Sequence, residues 1–205
     1  MGAMGTREDI LERATALFAQ HGGHGATLGQ IADTVGLRKP SVLHHFPSKE
    51  ALYDAVIEHA LAPFQEALPG LLRAAIGEDP VGALLHEAQR IFRAHPERAR
   101  LLLRELLDNP QGMQHRLRTA VKPWWDVIDA AMRRGQSVGV VRQEANPAAY
   151  LVHVAALLVT LEALRPSLRT LVDEDRADDV LDAELERIAR IALLTTPTPC
   201  SGGVR

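Results

Sequence analysis

The chain has 205 residues, of which 46% are hydrophobic and 24% are charged, and its formal net charge is −3. This composition is ordinary for a soluble globular protein and excludes a wholly disordered chain, while the length allows one domain or two small ones. The single cysteine, Cys200, excludes an internal disulfide and a cysteine-only zinc site. The negative charge excludes a globally basic nucleic-acid binder, so any nucleic-acid site must be local.

Membrane and export signals are weak in the sequence. No uninterrupted run of about 18 apolar residues occurs. The longest apolar stretch, Ala148 to Leu161, contains His153 and Thr160. The first residues show neither the basic segment nor the apolar segment of a secretory signal. We therefore expect no membrane partner and a cytoplasmic protein.

Helix-favouring residues dominate throughout, and no alternating apolar pattern predicts a sheet, so the expected fold class is all-α. The predicted N-terminal helices span about 7–20, 28–35 and 39–46. Thr27 and Gln30 form a Thr-x-x-Gln capping box at the start of the second helix. Gly36 and Leu37 then form a tight turn before the third. Two short helices joined in this way predict a helix-turn-helix unit.

The remainder of the chain predicts a larger bundle of longer helices, punctuated by prolines. A fourth helix begins at Lys49 and is expected to pass Pro63 with a kink toward Ala75. The other predicted helices span about 80–94, 96–107, 112–134, 147–164 and 177–194. A loop is expected at 135–143.

One window of the helix-turn-helix is locally basic. From Thr34 to Lys49 there are three basic residues, two histidines and no acid. A recognition helix contacts base edges through its N-terminal residues, and helix N-termini attract phosphate. The pattern therefore favours DNA binding, although a small helical bundle with a solvated basic edge would show the same charges.

Several short segments resemble the TetR family of bacterial transcriptional regulators: Ala26-Thr27-Leu28, Ile31-Ala32, Gly36-Leu37 and, above all, HHFPSKEALYDAV at residues 44–56. The specific resemblance covers about Arg7 to Val56, and the rest matches the family in helix count and size. It implies a homodimeric regulator that binds double-stranded operator DNA. It further implies a repressor that is released from DNA by a small-molecule effector.

The family's DNA contacts can be carried over by position. The resemblance implies that the DNA-binding residues are Thr27, Arg38, Lys39, Pro40, Ser41, Leu43, His44, His45 and Lys49. Of these, Thr27 and Lys49 would bind phosphate. Two positions depart from the family pattern, because Leu43 replaces a usual tyrosine and Gly29 stands where some members place a base-reading side chain.

The resemblance also implies the domain organisation. A helix-turn-helix DNA-binding domain would cover residues 6–47, a ligand-binding and dimerisation domain would cover 48–195, and 196–205 would be a disordered tail. The candidate ligand pocket is mostly apolar, with two residues that could fix polar groups of an effector. Its predicted lining is Leu84, Ala88, Phe92, Leu102, Arg104, Leu106, Val121, Trp125, Ile128, Val152 and His153.

This lining favours an apolar or aromatic effector with one or two polar groups. His153 and Arg104 would fix those groups. The alternative is that these side chains simply fill the core, with His153 bonded to a backbone carbonyl.

The helix predicted at 147–164 is apolar on nearly every side, so a monomer would expose one of its faces. Pairing of this helix and the last one with their copies would give a two-fold, four-helix interface, as a palindromic operator requires. The residues expected at this interface are Leu157, Leu161, Leu181, Leu185 and Ile188.

No residue set supports an enzyme, a cofactor or a metal site. The run from His21 to His24 is more typical of a helix cap than of a metal site, and the pair His86-Glu87 lacks the second histidine of a zinc protease motif. The alternative to a DNA-binding regulator is a helical small-molecule sensor or binding protein that kept the fold without binding DNA. A gel shift against the DNA upstream of its own gene separates the two.

Overall fold

The computed structural model describes residues 7–67, 69, 70, 73, 79–172 and 174–195. Within these residues it contains helices and, in place of any strand, one isolated bridge between Val141 and Leu194. The predicted all-α fold class is confirmed. The helices are α1 (Arg7–Gly25), α2 (Leu28–Thr34), α3 (Lys39–His45), α4 (Lys49–Glu66), α5 (Pro80–Ala94), α6 (Pro96–Asp108), α7 (Pro110–Arg116), α8 (Lys122–Ser137), α9 (Pro147–Leu168) and α10 (Ala177–Leu193).

The first three helices pack around a common apolar core. Ile10 and Phe18 of α1, Ile31 of α2 and Val42 of α3 are all fully buried. Phe46, directly after α3, is also buried in this core. Burying these faces leaves the opposite face of α3 in solvent, which positions it for an external partner.

The turn between α2 and α3 depends on one glycine. Gly36 has a φ of 69°, in the left-handed region that glycine adopts without the steric cost of a Cβ. The Leu37 N–H then donates to the Ala32 carbonyl over 2.9 Å and closes the turn. The predicted helix-turn-helix is therefore present.

Helix α4 joins the N-terminal unit to the bundle. It contacts α1 on one side and α5 and α6 on the other. Leu52, Val56 and Ile57 are fully buried between these neighbours. Within the described residues α4 runs through Pro63 to Glu66. Most of the predicted continuation toward Ala75, and the proposed tail at 196–205, lie outside the described residues.

Some predicted helix boundaries are wrong. Helix α1 extends to Gly25 instead of Gln20, with a break at Gly22, whose φ is 73°. The predicted helix at 112–134 is divided by a π-helical turn at Leu117–Val121. Pro123 explains the division, because proline lacks the N–H that the α-helical ladder needs and a π turn shifts the register.

Two later boundaries also moved toward the C-terminus. Helix α8 continues to Ser137 and α9 to Leu168, so the connecting loop covers 138–146 instead of 135–143. Arg165, near the end of α9, is buried and binds Asp178 and Asp182 at 3.2 and 2.8 Å. These ion pairs fasten α9 to the start of α10.

Helix α9 is the most apolar element. An 18-residue window within Pro147–Leu171 has a mean hydropathy of 1.7, yet only 22% of it is buried. By length and composition alone this helix could cross a membrane, although a single such helix is a weak membrane signal. His153 and Thr160 interrupt the apolar run in the sequence, so the run alone does not indicate a membrane span. The mean hydropathy of the helix nevertheless remains high.

Candidate nucleic-acid interface

The exposed face of α3 carries most of the predicted DNA-binding residues. Val42 and Phe46 point into the core, which turns the other side of this short helix outward. Leu43 is half-buried at the edge of this face. The exposed members of the predicted set are Arg38, Lys39, Pro40, Ser41, His44 and His45.

Thr27 caps α2, as the capping box predicts. Its Oγ1 accepts from the Gln30 N–H over 3.2 Å, and the Gln30 side chain accepts from the Thr27 N–H over 2.9 Å. The Thr27 hydroxyl also donates to Gln30 Oε1 over 3.0 Å. Thr27 is exposed at the end of the helix, so its cap fixes where α2 begins relative to α3.

Lys49 lies at the N-terminus of α4, where Ser48 caps the helix by accepting from the Ala51 N–H over 3.1 Å. The Lys49 Nζ donates to the His24 carbonyl near the end of α1, over 3.1 Å. Lys49 therefore holds α4 against α1 from the first position of α4. A phosphate at this position would meet both the ammonium and the helix dipole.

Arg7 is a further cation near α3 that the sequence reasoning missed. Its guanidinium lies over the Phe46 ring, 5.0 Å from the ring centroid, at the end of α3. The two residues are far apart in the chain, and no local motif connects them. Only tertiary packing, which places the start of α1 over Phe46, brings this charge to that end of the unit.

Two acids flank this basic window in the chain, Asp33 before it and Glu50 at the start of α4. Hydrogen bonds from the Glu50 backbone N–H and from the Ser48 hydroxyl hold the pKa of the Glu50 carboxyl below the ordinary 4.5. Its negative charge is thus directed at the N-terminus of α4, where the dipole stabilises it.

The residues predicted to line an effector pocket fall into three groups. Phe92, Leu102 and Ile128 are buried, and a second set is half-buried. That second set comprises Leu84, Ala88, Arg104, Val121 and Trp125. The remaining three, Leu106, Val152 and His153, are exposed at the surface of the chain.

These exposed positions correct the pocket prediction. Val152 is 56% exposed and His153 is also exposed, because this face of α9 points away from its own bundle. Both placements of His153 considered from the sequence, in the core or in an internal pocket, are therefore wrong for the single chain. The Arg104 side chain lies against α1 and not in a pocket of the bundle. Its Nη1 is 2.8 Å from the position that a Cβ on Gly22 would occupy.

Two cavities in the described part of the chain are lined by none of the eleven predicted residues. One, of about 370 Å³, lies where α4 and α5 end and α6 begins. The other, of about 710 Å³, lies between α1, α4 and the segment from α7 to the π turn. Both are open to solvent.

The predicted interface residues divide in a similar way. Leu157 and Ile188 are 47% and 42% exposed, and Leu161 and Leu181 are half-buried. Leu185 is only 6% exposed and packs in the core of its own chain, so its assignment to a dimer interface is corrected. Further exposed apolar residues that the prediction missed are Leu164, Val180 and Ile191.

A metal centre has no counterpart among the described residues, since no group of three or more His, Cys, Asp or Glu side chains there could hold an ion.

A helix-turn-helix with an outward basic recognition helix, followed by a larger helical bundle, defines the class of two-domain DNA-binding regulators. Comparison with known families gives the particular family. A family model described as bacterial regulatory proteins, tetR family, matches residues 10–56, and one described as tetracyclin repressor-like, C-terminal domain, matches 79–191. The chain belongs to the TetR family.

Individual relatives agree with this assignment. The transcriptional regulator UidR of Escherichia coli K12 is 30% identical over 152 residues, which cover 71% of this chain and 74% of UidR. The transcriptional repressor AcnR of Corynebacterium diphtheriae is 29% identical over 143 residues, which cover 67% of this chain and 69% of AcnR. The structure of SmeT, the repressor of the Stenotrophomonas maltophilia efflux pump SmeDEF, shares the fold with a TM-score of 0.65 and 23% identity over 98% of this chain and 96% of SmeT.

The protein is therefore a DNA-binding transcriptional regulator and not an enzyme. Members of the family are soluble, and they typically dimerise and respond to small-molecule effectors. Nothing in these comparisons supports the alternative of a sensor that has lost DNA binding.

Proposed function

We propose that the protein is a homodimeric cytoplasmic repressor that leaves its operator when a small apolar or aromatic effector binds. The observation that carries the DNA-binding half of this proposal is the outward face of α3, where Lys39, Ser41 and His44 are exposed side by side. AcnR and SmeT are both named as repressors, which favours repression over activation.

The proposed DNA contacts follow from position on the helices. Lys39, Pro40, Ser41, Leu43 and His44 would face base edges in the major groove, because they lie on the outward turn of the recognition helix. Residues that flank this helix would bind the phosphate backbone of the DNA. We assign this role to Thr27, Arg38, His45, Lys49 and, as an addition, Arg7.

The proposed domain boundary places residues 6–47 in the DNA-binding domain and 48–195 in the effector and dimerisation domain. Support comes from α4, which contacts both the helix-turn-helix and the bundle. A shift of α4 against α6 would therefore change how α3 is held relative to the dimer axis. An effector that binds one arrangement better than the other would shift the population toward it.

An apolar effector is favoured by the character of the bundle interior. The aromatic pair Phe64 and Phe92 lies at a ring distance of 5.3 Å, where α4 meets α5. Leu102 and Ile128 are buried in the bundle as well. We propose that the effector enters among these buried members of the predicted set, without help from Val152 or His153 of the same chain.

Dimerisation is supported by the uncovered face of α9. Leu157 and Leu164 of α9 and Ile188 and Ile191 of α10 are each more than 40% exposed. Exposed apolar side chains on two neighbouring helices are typical of an interface, and two-fold pairing would cover them.

A gel shift with labelled DNA from upstream of the protein's own gene tests the proposal. We expect a retarded complex that excess unlabelled upstream DNA removes and that unrelated DNA of the same length does not. The absence of a sequence-specific complex on any fragment of the neighbouring genes would contradict the proposal.

A further inference from the structure

The cavity where α4 and α5 end and α6 begins is lined by a buried arginine that forms no ion pair with any described residue. Arg98, in the first turn of α6, is only 8% exposed and lines this cavity. Within the part of the chain that the structure describes, its side chain makes one hydrogen bond, a 3.5 Å contact between Nη2 and His59 Nε2. Among the described residues, no carboxylate lies within 4.0 Å of its guanidinium.

A cation in this position is costly for two reasons. Burial removes its hydration, which lowers the pKa of Arg98 below its ordinary value, and the more distant carboxylates of Glu97, Glu12, Glu66 and Glu8 only partly offset the loss. Arg98 also stands at the positive end of the α6 dipole, where a cation is unfavourable. An anion would relieve both costs.

The surroundings of Arg98 favour an anion as well. The N-cap residue of α6, His95, makes no side-chain cap, so the positive end of this helix dipole lies at the cavity, although Pro96 has no N–H and the Arg98 N–H donates to the His95 carbonyl over 3.0 Å. Arg73 and Arg90 line the same cavity, as do the carboxylates of Glu66 and Glu87. Glu87 and Arg90 neutralise each other in an ion pair of 2.6 Å. Among the described lining residues, this pairing leaves two cations, Arg73 and Arg98, against the carboxylate of Glu66, while Glu97 places a second carboxylate 3.4 Å from His95 at the edge of the cavity.

We propose that this cavity is a binding site for an oxyanion, a phosphate or carboxylate group of a small metabolite, with Arg98 as its principal ligand. The cavity, of about 370 Å³, accommodates such a group together with part of the molecule that carries it. None of its lining residues belongs to the proposed effector pocket, so this site is independent of the proposed function. Because α6 also contacts α1, an anion here would act on the contact between the bundle and the DNA-binding unit.

The probes for this site are inorganic phosphate and succinate, each compared with sodium chloride at equal ionic strength. For the wild-type protein we expect a saturable rise of the melting temperature, about 3 °C at saturation, with either probe. The Arg98→Met variant should lose this response. The Arg100→Met variant removes an exposed arginine from the same helix and should keep it in full.

The folding of the Arg98 variants is measured alongside anion binding. Arg98→Met should fold with unchanged helix content and melt no lower than the wild type in chloride, because it removes an unpaired buried charge. If that variant fails to fold, Arg98→Lys takes its place, and it should bind phosphate at least fivefold more weakly than the wild type. Equal melting temperatures in phosphate, succinate and chloride, or an Arg98 variant that responds like the wild type, would overturn the proposal.

Discussion

The Tyr53 hydroxyl of α4 donates a hydrogen bond of 2.7 Å to Oε2 of Glu105 on α6. Glu105 is only 1% exposed, and its other oxygen accepts from the Asn109 side chain over 2.9 Å. Tyr53 also stands edge-on to Phe18 of α1, at a ring distance of 4.9 Å. Burial and the neighbouring carboxylate raise the pKa of Tyr53 well above its ordinary value. A part-buried hydrogen bond thus joins α4 to α6, and the ring of the same tyrosine contacts α1 of the helix-turn-helix unit.

Loss of this contact should destabilise the fold. The Tyr53→Phe variant keeps the ring against Phe18 but removes the donor, so the buried Glu105 carboxylate loses one of its two hydrogen bonds. We expect the free energy of unfolding to fall by about 1–3 kcal/mol, measured by urea denaturation. The double variant with Glu105→Gln should lose less than the sum of the two single changes. A Tyr53→Phe protein as stable as the wild type would show that the bond contributes nothing.

Lys39 is expected to contribute to sequence recognition. The Lys39→Ala variant should weaken binding to the operator by about 1–3 kcal/mol and reduce the preference for it over unrelated DNA, because a base contact is lost. Fluorescence anisotropy at constant salt measures both affinities. Lys122→Ala, which removes an exposed lysine from α8, is the control and should bind normally. Unchanged operator affinity in Lys39→Ala would remove this residue from the interface.

Lys49 is expected to act on every DNA sequence alike. The Lys49→Ala variant should weaken specific and non-specific binding equally and reduce the slope of log affinity against log salt by about one unit. Salt titrations followed by anisotropy give this slope. Since Lys49 also bonds to the His24 carbonyl, its thermal stability is measured in parallel. A slope identical to that of the wild type, in a variant that remains folded, would contradict a phosphate contact.

A charged substitution at Leu157 tests whether α9 forms the dimer interface. The Leu157→Glu variant should be monomeric at micromolar concentration, because an unpaired carboxylate would be buried where two copies of α9 meet. Sedimentation velocity measures the change, and operator binding should be lost with it. Val138→Glu, in the exposed loop after α8, should remain dimeric. The matching change at Leu185 is unsuitable, because that residue lies in the core of its own chain. A wild-type protein that sediments as a monomer would refute the proposed interface.

We expect the protein to lose stability in acid because of His59. It lies between Glu8 of α1, at 3.3 Å, and Arg98 of α6, and burial together with Arg98 lowers its pKa below the ordinary 6.5. The unfolded state therefore binds more protons than the folded state, so stability falls as the pH drops below 6.5. This loss levels off below the folded pKa.

The measurement compares variants across that range. Urea denaturation between neutral and mildly acidic pH should show a smaller loss for His59→Gln than for the wild type. His86→Gln, whose side chain is 73% exposed, should behave like the wild type. If His59→Gln loses as much stability in acid as the wild type, another group is responsible.

The local structure and the family could be predicted from the amino-acid sequence alone. The capping box at Thr27, the turn at Gly36 and the Pro-Ser-Lys start of α4 depend on interactions between residues at most five positions apart, so their patterns can be read directly. The inward faces of α2 and α3 also followed from helical periodicity, because each has one apolar side. These features place the recognition helix, and Lys39 and Ser41 on its outer face, without knowledge of the rest of the fold.

Which face of each bundle helix is buried, and which distant residues pair, depends on tertiary packing and could not be predicted from periodicity. Helix α9 is apolar on all sides, so its pattern could not show that Val152 and His153 face outward while Leu158 faces the core. Contacts between distant segments were equally invisible, such as Tyr53 with Glu105, because each residue's local sequence says nothing of the other. The burial of Arg98 beside a cavity could not be predicted from its local sequence either. Burial and pairing are properties of the packed chain, and they emerge only when helices from different parts of the sequence meet.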